Sequence, residues 1–204
     1  MAMTSDRLWR KTRSRQNQRC YGVDPNRNFD IDFGVSGVTS NPCGDTYPGR
    51  NPFSEPETAN IRNKINEIKS RVKAYLSFHS YSQMLLTPFG HTSTRANDHG
   101  EMMRVGRNSM NALRKVHGKV FRVGPAPDLL CNVIFIIIGF DAASGSSADW
   151  AKVKAGIKYT FTYELRPAAA GRRTSGFILN RSEIKPSAEE VMASLISIAK
   201  DIIV

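Results

Sequence analysis

Apolar positions recur at two different spacings along this chain, and each spacing predicts a different element. Three stretches have a helical spacing and are expected to form helices with one apolar face. Their apolar residues are Ala59, Ile61, Ile65 and Ile68 in the first, Met102, Met103, Met110, Leu113 and Val116 in the second, and Val191, Leu195, Ile198 and Ile202 in the third. Capping boxes at Ser54 to Glu57 and Ser187 to Glu190 predict the starts of the first and third helices, and Gly118 predicts the end of the second.

A period of two predicts strands. From Ile157 to Leu165, apolar or aromatic residues alternate with Lys, Thr and Glu, which indicates a strand with one buried face. A strand is also predicted near Val72 to His79, and another apolar stretch runs from Met84 to Phe89. Residues 20 to 53 contain many turn formers and predict a long, structured loop. Because strands and helices alternate, we expect an α/β fold in which helices pack on a sheet.

Composition excludes several classes of protein. The 204 residues are 40% hydrophobic and 23% charged, which suits one ordinary domain, or a large part of a bigger one, with a buried core. The longest apolar run, Val133 to Ile138, is far shorter than the ~20 residues that span a bilayer, so we expect no membrane segment. Residues Met1 to Arg10 are polar and basic and do not resemble a signal peptide.

A net charge of +11 favours partners that are acidic or anionic. Three interpretations fit it: a solvated basic face, binding of nucleic acid, or recognition of carboxylates by particular arginines. The basic residues are densest near the start of the chain, at Arg7, Arg10, Lys11, Arg13, Arg15 and Arg19. They are not interleaved with the aromatic residues that a single-strand binder would use, so we expect no nucleic-acid partner.

The three cysteines, Cys20, Cys43 and Cys131, are an odd number. Cys20 and Cys43 flank much of the long loop, where a cross-link would be worth about 3 kcal/mol through loop closure. A bond there would indicate an oxidising compartment. The glycosylation sequon Asn180-Arg181-Ser182 agrees with secretion.

Two polar residues stand in otherwise apolar strands and are candidates for chemistry. His79 ends a predicted strand and is either a structural histidine or a metal ligand. Glu164 lies on the threonine face of the aromatic strand, where loss of solvent would suit it to act as a general base. The alternative for Glu164 is an ion pair with the nearby Arg166.

Five stretches, in this order, resemble the zinc metallocarboxypeptidases of the pancreatic digestive type. They are Arg7 to Ser14 (RLWRKTRS), Gly22 to Asp30 (GVDPNRNFD), Ser77 to Gln83 (SFHSYSQ), Ala143 to Ser147 (ASGSS) and Tyr163 to Arg166 (YELR). The resemblance spans nearly the whole chain. It implies a mixed β-sheet with helices on both faces, a Cys20–Cys43 disulfide, and a secreted protein that is monomeric in its full-length form.

The resemblance also implies a catalytic set. His79 corresponds to one of three protein ligands of Zn²⁺, and Glu164 to the base that activates the zinc-bound water. Arg10 corresponds to the arginine that polarises the scissile carbonyl and stabilises the oxyanion.

A second set concerns the substrate, a peptide or protein C-terminus. Asn26 and Arg27 correspond to the residues that bind the terminal carboxylate. Ser80 and Tyr81 correspond to cleft residues joined by a cis bond. Ala148 stands where an aspartate would select Lys or Arg, so its lack of charge predicts an apolar or aromatic C-terminal side chain.

The sequence also departs from the family's pattern. It has no H-x-x-E, the motif that provides the other two zinc ligands. About ten residues, Cys131 to Phe140, stand as an apparent insertion, either a gene-model error or a genuine variant. Arg166-Pro167 replaces an Arg-Asp bond held in cis, and proline suits that geometry.

Residues 1–204 are therefore expected to be the C-terminal two-thirds of a zinc-carboxypeptidase catalytic domain without its N-terminal part. Its function would be removal of apolar or aromatic C-terminal residues, with little activity in the chain as written. The alternative is an inactive remnant that still binds peptide C-termini.

Overall fold

The computed structural model describes residues 6–134, 142–169 and 175–203. Five α-helices occur in these residues: α1 (Pro56–Ile68), α2 (His99–His117), α3 (Ala126–Ile134), α4 (Ser147–Val153) and α5 (Ile184–Ile202). Four strands accompany them: β1 (Ala74–Ser82), β2 (Met84–Thr87), β3 (Arg122–Pro125) and β4 (Tyr159–Ala168). Short 3-10 helices lie at Pro25–Arg27, Ser175–Phe177 and Arg181–Glu183.

The four strands form one mixed sheet in the order β1-β4-β2-β3. Strand β2 is parallel to β3, with Leu85 opposite Val123, and antiparallel to β4, with Met84 opposite Glu164. The expected mixed sheet is therefore confirmed.

Helices cover both faces of this sheet at β2. Leu85 points toward α2, where a Cβ on Gly106 would lie 3.4 Å from the Leu85 side chain. Met84 and Leu86 instead pack with Ala126 of α3. Successive residues of a strand face opposite sides of the sheet, so α2 and α3 lie on opposite faces.

The described residues fall into two units. We call the first the loop unit, residues 6–75, 90–93 and 142–158, and the second the sheet unit, residues 76–89, 94–134, 159–169 and 175–203. The loop unit has an aromatic core, in which the ring of Phe29 lies 5.5 Å from that of Phe53 and 5.6 Å from that of Trp150. Ile31 and Ile157 complete this buried cluster.

In the sheet unit, α2 and α5 pack together and bury a tyrosine of β4. The hydroxyl of Tyr163 lies 2.6 Å from Ser194 Oγ, and burial raises the pKa of Tyr163 to about 12. None of the described helices is long and apolar enough to cross a membrane.

The predicted loop from residue 20 to residue 53 is confirmed, with the single helical turn Pro25–Arg27 inside it. Hydrogen bonds from side chains, rather than pairing between strands, stabilise much of this loop. Asn28 is fully buried, and its Nδ2 donates to Pro48 O at 2.7 Å, Asn51 O at 3.1 Å and Ser54 Oγ at 3.0 Å. Its Oδ1 accepts from Thr58 Oγ1 at 2.6 Å, which ties the loop to α1. The Cys20–Cys43 disulfide is also formed, as predicted.

Both predicted capping boxes are wrong, because Glu55 rather than Ser54 is the N-cap of α1 and α5 begins before Ser187. Helix α1 begins at Pro56 with Glu55 at its N-cap. The Glu55 carboxylate accepts from Thr12 Oγ1 at 2.6 Å and from Ser14 Oγ at 2.5 Å. Helix α5 begins at Ile184, before the predicted start, and Glu190 is buried within it. The predicted C-terminal end of α2 is confirmed, with Gly118 at φ +74°.

Arg166 is the partner of Glu190. Its Nε donates to Glu190 Oε2 at 2.9 Å and its Nη2 to Glu190 Oε1 at 2.5 Å, and its Nη1 contacts Glu183. The guanidinium is thus engaged with α5 and the turn before it, and the proposed ion pair with Glu164 is not among these bonds. The bonds Ser80-Tyr81 and Arg166-Pro167 are both cis, as the resemblance implied.

The apparent insertion at Cys131 to Phe140 lies mostly outside the described residues. The backbone of residues 131–134 ends helix α3, and the prediction about the rest of the segment stays untested.

Candidate functional site

Asp24 organises the candidate carboxylate-binding residues of the loop unit. It is almost fully buried, and its Oδ2 accepts from Arg10 Nε at 3.1 Å and Nη2 at 2.8 Å. Its Oδ1 accepts from the backbone N of Asn26 at 3.0 Å and caps the Pro25–Arg27 turn. A proline at the first position of that turn suits its φ angle. One buried carboxylate thus positions both Arg10 and the turn that holds Asn26 and Arg27.

The guanidinium of Arg27 is held by two backbone carbonyls. Its Nε donates to Gly37 O at 2.9 Å and its Nη1 to Asn26 O at 2.9 Å. These bonds leave Nη2 without an acceptor among the described residues. Burial lowers the pKa of Arg27, Asp24 opposes that shift, and the nearby Arg10 adds to it. A partly desolvated cation beside a second cation is a favourable place for an anion.

Asn26 connects this turn to helix α4. Its Oδ1 accepts from the backbone N of Ser147 at 3.0 Å, so the NH₂ end of the amide is the part available to a ligand. Ser146 caps α4 by accepting from the N of Asp149. Ala148, the predicted pocket residue, is buried in the first turn of this helix. The structure therefore brings Arg10, Asn26 and Arg27 together and places Ala148 beside the residue that Asn26 binds.

A close backbone contact fixes the segment before α4. Phe29 N donates to Gly145 O at 3.1 Å, and Gly145 N donates to Ile31 O at 2.8 Å. Gly145 has φ +74°, and a Cβ there would lie 2.1 Å from Arg27 O. Only glycine permits this approach, so Gly145 sets the distance between α4 and the Arg27 turn.

Asp149 follows Ala148 and was missed by the sequence reasoning. Its Oδ2 accepts from Gly90 N at 2.9 Å, His91 N at 3.1 Å and His91 Nδ1 at 2.8 Å. The other ring nitrogen of His91 lies 3.8 Å from Asp32 Oδ2. The hydrogen bond to Asp149 raises the pKa of His91, burial opposes that shift, and the charges of Asp149 and Asp32 add to it.

The structural role of Asp24 is easier to predict from the sequence than that of Asp149. Asp24 stands directly before a proline in a motif already singled out, which is a signal for a capping aspartate. Asp149 meets a histidine 58 positions away, and no local pattern points to that pair.

The remaining candidate residues belong to the sheet unit. His79, Ser80 and Tyr81 lie in the last part of β1, and Glu164 lies in β4, the neighbouring strand. His79 Nε2 is 2.9 Å from Ser77 Oγ. The ring of Tyr81 meets that of Phe177 edge to face, with centroids 5.0 Å apart. The expected convergence of His79 and Glu164 with Arg10 and Arg27 stays a prediction.

Comparisons with known proteins identify the family to which the chain belongs. A sequence profile described as "Zinc carboxypeptidase" matches residues 1–194. Carboxypeptidase A2 of Rattus norvegicus is 42% identical over 98% of this chain and 45% of its own length. Carboxypeptidase B of Astacus astacus is 41% identical over 92% of this chain and 58% of its own length. The chain thus spans about half the length of these relatives.

Solved structures extend the match to the fold. The structure of bovine thrombin-activatable fibrinolysis inhibitor in complex with tick carboxypeptidase inhibitor has a TM-score of 0.87 at 33% identity, covering 99% of this chain and 64% of that one. A carboxypeptidase A from Helicoverpa armigera has a TM-score of 0.83 at 30% identity, covering 98% of this chain and 47% of that one. The fold of this chain is therefore that of a metallocarboxypeptidase. The chain belongs to the zinc carboxypeptidase family.

The family implies a zinc ion, and the described residues do not fit a complete site for one. They contain no group of three or more His, Cys, Asp or Glu side chains that could hold a metal. The predicted zinc ligand His79 has Ser77 as a close neighbour, and its role as a ligand stays a prediction.

Proposed function

We propose that this chain forms part of a secreted zinc metallocarboxypeptidase that removes apolar or aromatic residues from peptide C-termini. The main support is the loop unit, where a buried aspartate positions Arg10 and the Asn26-Arg27 turn in the way that carboxylate recognition requires. Membership of the zinc carboxypeptidase family supports the reaction class.

Recognition of the terminal carboxylate is assigned to Arg27 and Asn26. The backbone carbonyls of Gly37 and Asn26 hold Nε and Nη1 of Arg27, so Nη2 donates to the substrate without losing side-chain freedom on binding. Asn26 adds an N–H from its side-chain amide. A carboxylate accepts such paired donors strongly, whereas an internal peptide bond has no anion to offer, and this restricts cleavage to the chain end.

Preference for an apolar terminal side chain is assigned to Ala148. It is 8% exposed and has no polar group. A cationic Lys or Arg side chain would be desolvated there without a partner, at a cost of several kcal/mol.

In the reaction itself, we assign Glu164 the role of general base. Its carboxylate takes a proton from the attacking water as oxygen bonds to the scissile carbonyl carbon, and passes that proton to the amine as the C–N bond breaks. Arg10 donates to the oxyanion, and its ion pair with Asp24 fixes the guanidinium beforehand.

A second candidate function is binding of peptide C-termini without cleavage. The 204 residues contain no H-x-x-E, whereas the carboxylate-binding contacts lie in the loop unit and involve no metal. We propose binding of peptide C-termini without cleavage as the function of these 204 residues.

Secretion is proposed from the family and from the Cys20–Cys43 disulfide, which is typical of an oxidising compartment. A monomeric state is proposed on the same family basis.

Binding of a short peptide that ends in Phe tests the carboxylate proposal. We expect the chain to bind the free-acid form and to lose at least tenfold in affinity for the C-terminal amide, because charge-assisted hydrogen bonds contribute roughly 1.5–3 kcal/mol. Arg27→Lys should cause a similar loss, since an ammonium cannot keep the bonds to Gly37 O and Asn26 O. Calorimetry measures both.

Arg71→Lys is the matched control, since Arg71 is an exposed arginine of the same unit. It should bind like the parent chain. Equal affinity for the acid and the amide would contradict the proposal, and so would an unchanged affinity in Arg27→Lys.

A further inference from the structure

The sequon Asn180-Arg181-Ser182 is the single N-x-S/T sequence, with x other than proline, in the 204 residues. We propose that Asn180 is N-glycosylated. The glycan donor would be a lipid-linked oligosaccharide pyrophosphate, which is the donor used in the oxidising secretory compartment.

The folded structure presents all three residues of the sequon to solvent. Asn180, Arg181 and Ser182 are each exposed, and they form the start of the 3-10 helix Arg181–Glu183. An acceptor asparagine must be reached by a large enzyme and then accommodate a bulky glycan, so exposure of the whole tripeptide is the first requirement.

The geometry of the turn also exposes the reacting atom. Asn180 Oδ1 accepts from Ser182 N at 3.0 Å and from Ser182 Oγ at 3.1 Å. Both bonds use the oxygen of the amide and place the Ser182 hydroxyl directly against it. The nitrogen, Nδ2, makes no hydrogen bond within the described part of the chain, and the residue is exposed.

The chemical step balances at that nitrogen. Nδ2 of Asn180 attacks the anomeric carbon of the first sugar, a C–N bond forms, and the C–O bond to the pyrophosphate breaks. Nδ2 loses one proton to a carboxylate base of the transferase, and the lipid pyrophosphate leaves as an anion with the electron pair of the broken C–O bond. The Cys20–Cys43 disulfide is independent support, because it forms in the compartment that holds this donor.

A glycan at Asn180 would also shield an apolar surface. Residues on both sides of the sequon are apolar and exposed, including Ile178 at 55% and Ile184 at 66%. Ile184 also lines a groove of about 400 Å³, together with Phe78, Leu165, Phe177, Leu179, Val191 and other residues. Exposed apolar surface of this kind favours association between molecules, and a hydrophilic glycan beside it would oppose that.

Translation of the full chain behind a cleavable signal sequence, in the presence of microsomes, tests the proposal. We expect protease-protected chains to run as a heavier band that an endoglycosidase converts to the unmodified size. Ser182→Ala keeps Asn180 but removes the sequon and should abolish the band. Ser182→Thr should retain it.

Arg19→Ser is the control for the assay, since it creates a second sequon at Asn17 in a similar exposed turn, where Asn17 Oδ1 accepts from the backbone N of residue 19 at 2.9 Å. Protected chains that have a glycan at Asn17 but a bare Asn180 would overturn the proposal. A heavier band that persists in Ser182→Ala would overturn it as well.

Discussion

Two buried aspartates of the loop unit each accept several hydrogen bonds and so fix the residues that donate to them. Asp24 accepts from Arg10 and from the Asn26 backbone, and Asp149 accepts from Gly90 and His91. A buried carboxylate is stable only when such donors surround it. Replacing Asp24 would therefore disturb the candidate residues Arg10 and Asn26, and replacing Asp149 would disturb the segment at Gly90 and His91.

The His91–Asp149 contact predicts a pH-dependent stability. The pKa of His91 is raised in the folded chain, so its contribution is complete below the unfolded value of 6.5 and is lost as pH rises through the folded value. His91→Gln should therefore lower the free energy of unfolding more at pH 5.5 than at pH 9. Urea denaturation followed by Trp150 fluorescence at both pH values measures this.

His117→Gln is the control for that comparison. His117 lies 2.7 Å from Glu189 in an exposed pair, and exposed pairs contribute about 0–1 kcal/mol. A His91→Gln effect that grows with pH would contradict the assigned role of the contact.

At the scale of elements, Gly145 sets how closely the α4 segment approaches the Arg27 turn, and a matched glycine isolates this effect. Gly145 and Gly156 both have φ +74°, but a Cβ at Gly156 would meet nothing within 4 Å. Gly156→Ala should cost only the left-handed penalty of about 1–2 kcal/mol. Gly145→Ala should cost clearly more and weaken binding of the free-acid peptide, because its Cβ would strike Arg27 O.

Chemical denaturation and calorimetry of the two alanine variants measure these effects. Equal losses of stability in both, with unchanged peptide binding, would show that the contact with Arg27 does not matter.

Elements with a clear period were predicted well from the sequence, and elements whose ends depend on distant partners were not. The Gly118 end of α2 is local, because glycine alone readily takes φ +74° there. The predicted starts of α1 and α5 were wrong: Glu55 rather than Ser54 is the N-cap of α1, and α5 begins at Ile184 with Glu190 bound to Arg166.

The same division applies to the candidate site. The family resemblance carried by the motifs made Arg10, Asn26 and Arg27 candidates, and their roles stay predictions. The sequence signalled Asp24 as a capping aspartate, but it does not show that the same carboxylate binds Arg10 or that Gly37 O accepts from Arg27.

At the scale of the whole molecule, the residues proposed to bind a carboxylate and the histidine proposed as a zinc ligand belong to different units. The loop unit contains Arg10, Asn26, Arg27 and Ala148, and the sheet unit contains His79. The proposals for peptide binding and for zinc binding can therefore be tested separately.

Zinc content is therefore predicted to be low in the 204-residue chain. One imidazole, His79, corresponds to a family ligand, and the sequence has no H-x-x-E. Tight binding needs several deprotonated ligands at ~2 Å. We expect far less than one equivalent of zinc by mass spectrometry after dialysis, and negligible hydrolysis of a blocked dipeptide ending in Phe. One retained equivalent with ready turnover would contradict this.

Asn28 limits how well the long loop would tolerate a change from amide to acid at this position. Its amide nitrogen faces three acceptors, Pro48 O, Asn51 O and Ser54 Oγ. Deamidation would replace that nitrogen by an oxygen bearing a negative charge, which would repel the carbonyl oxygens of Pro48 and Asn51 in a buried place. Such a change at one side chain would thus weaken the hydrogen bonds within the loop, while Oδ1 would still accept from Thr58 of α1.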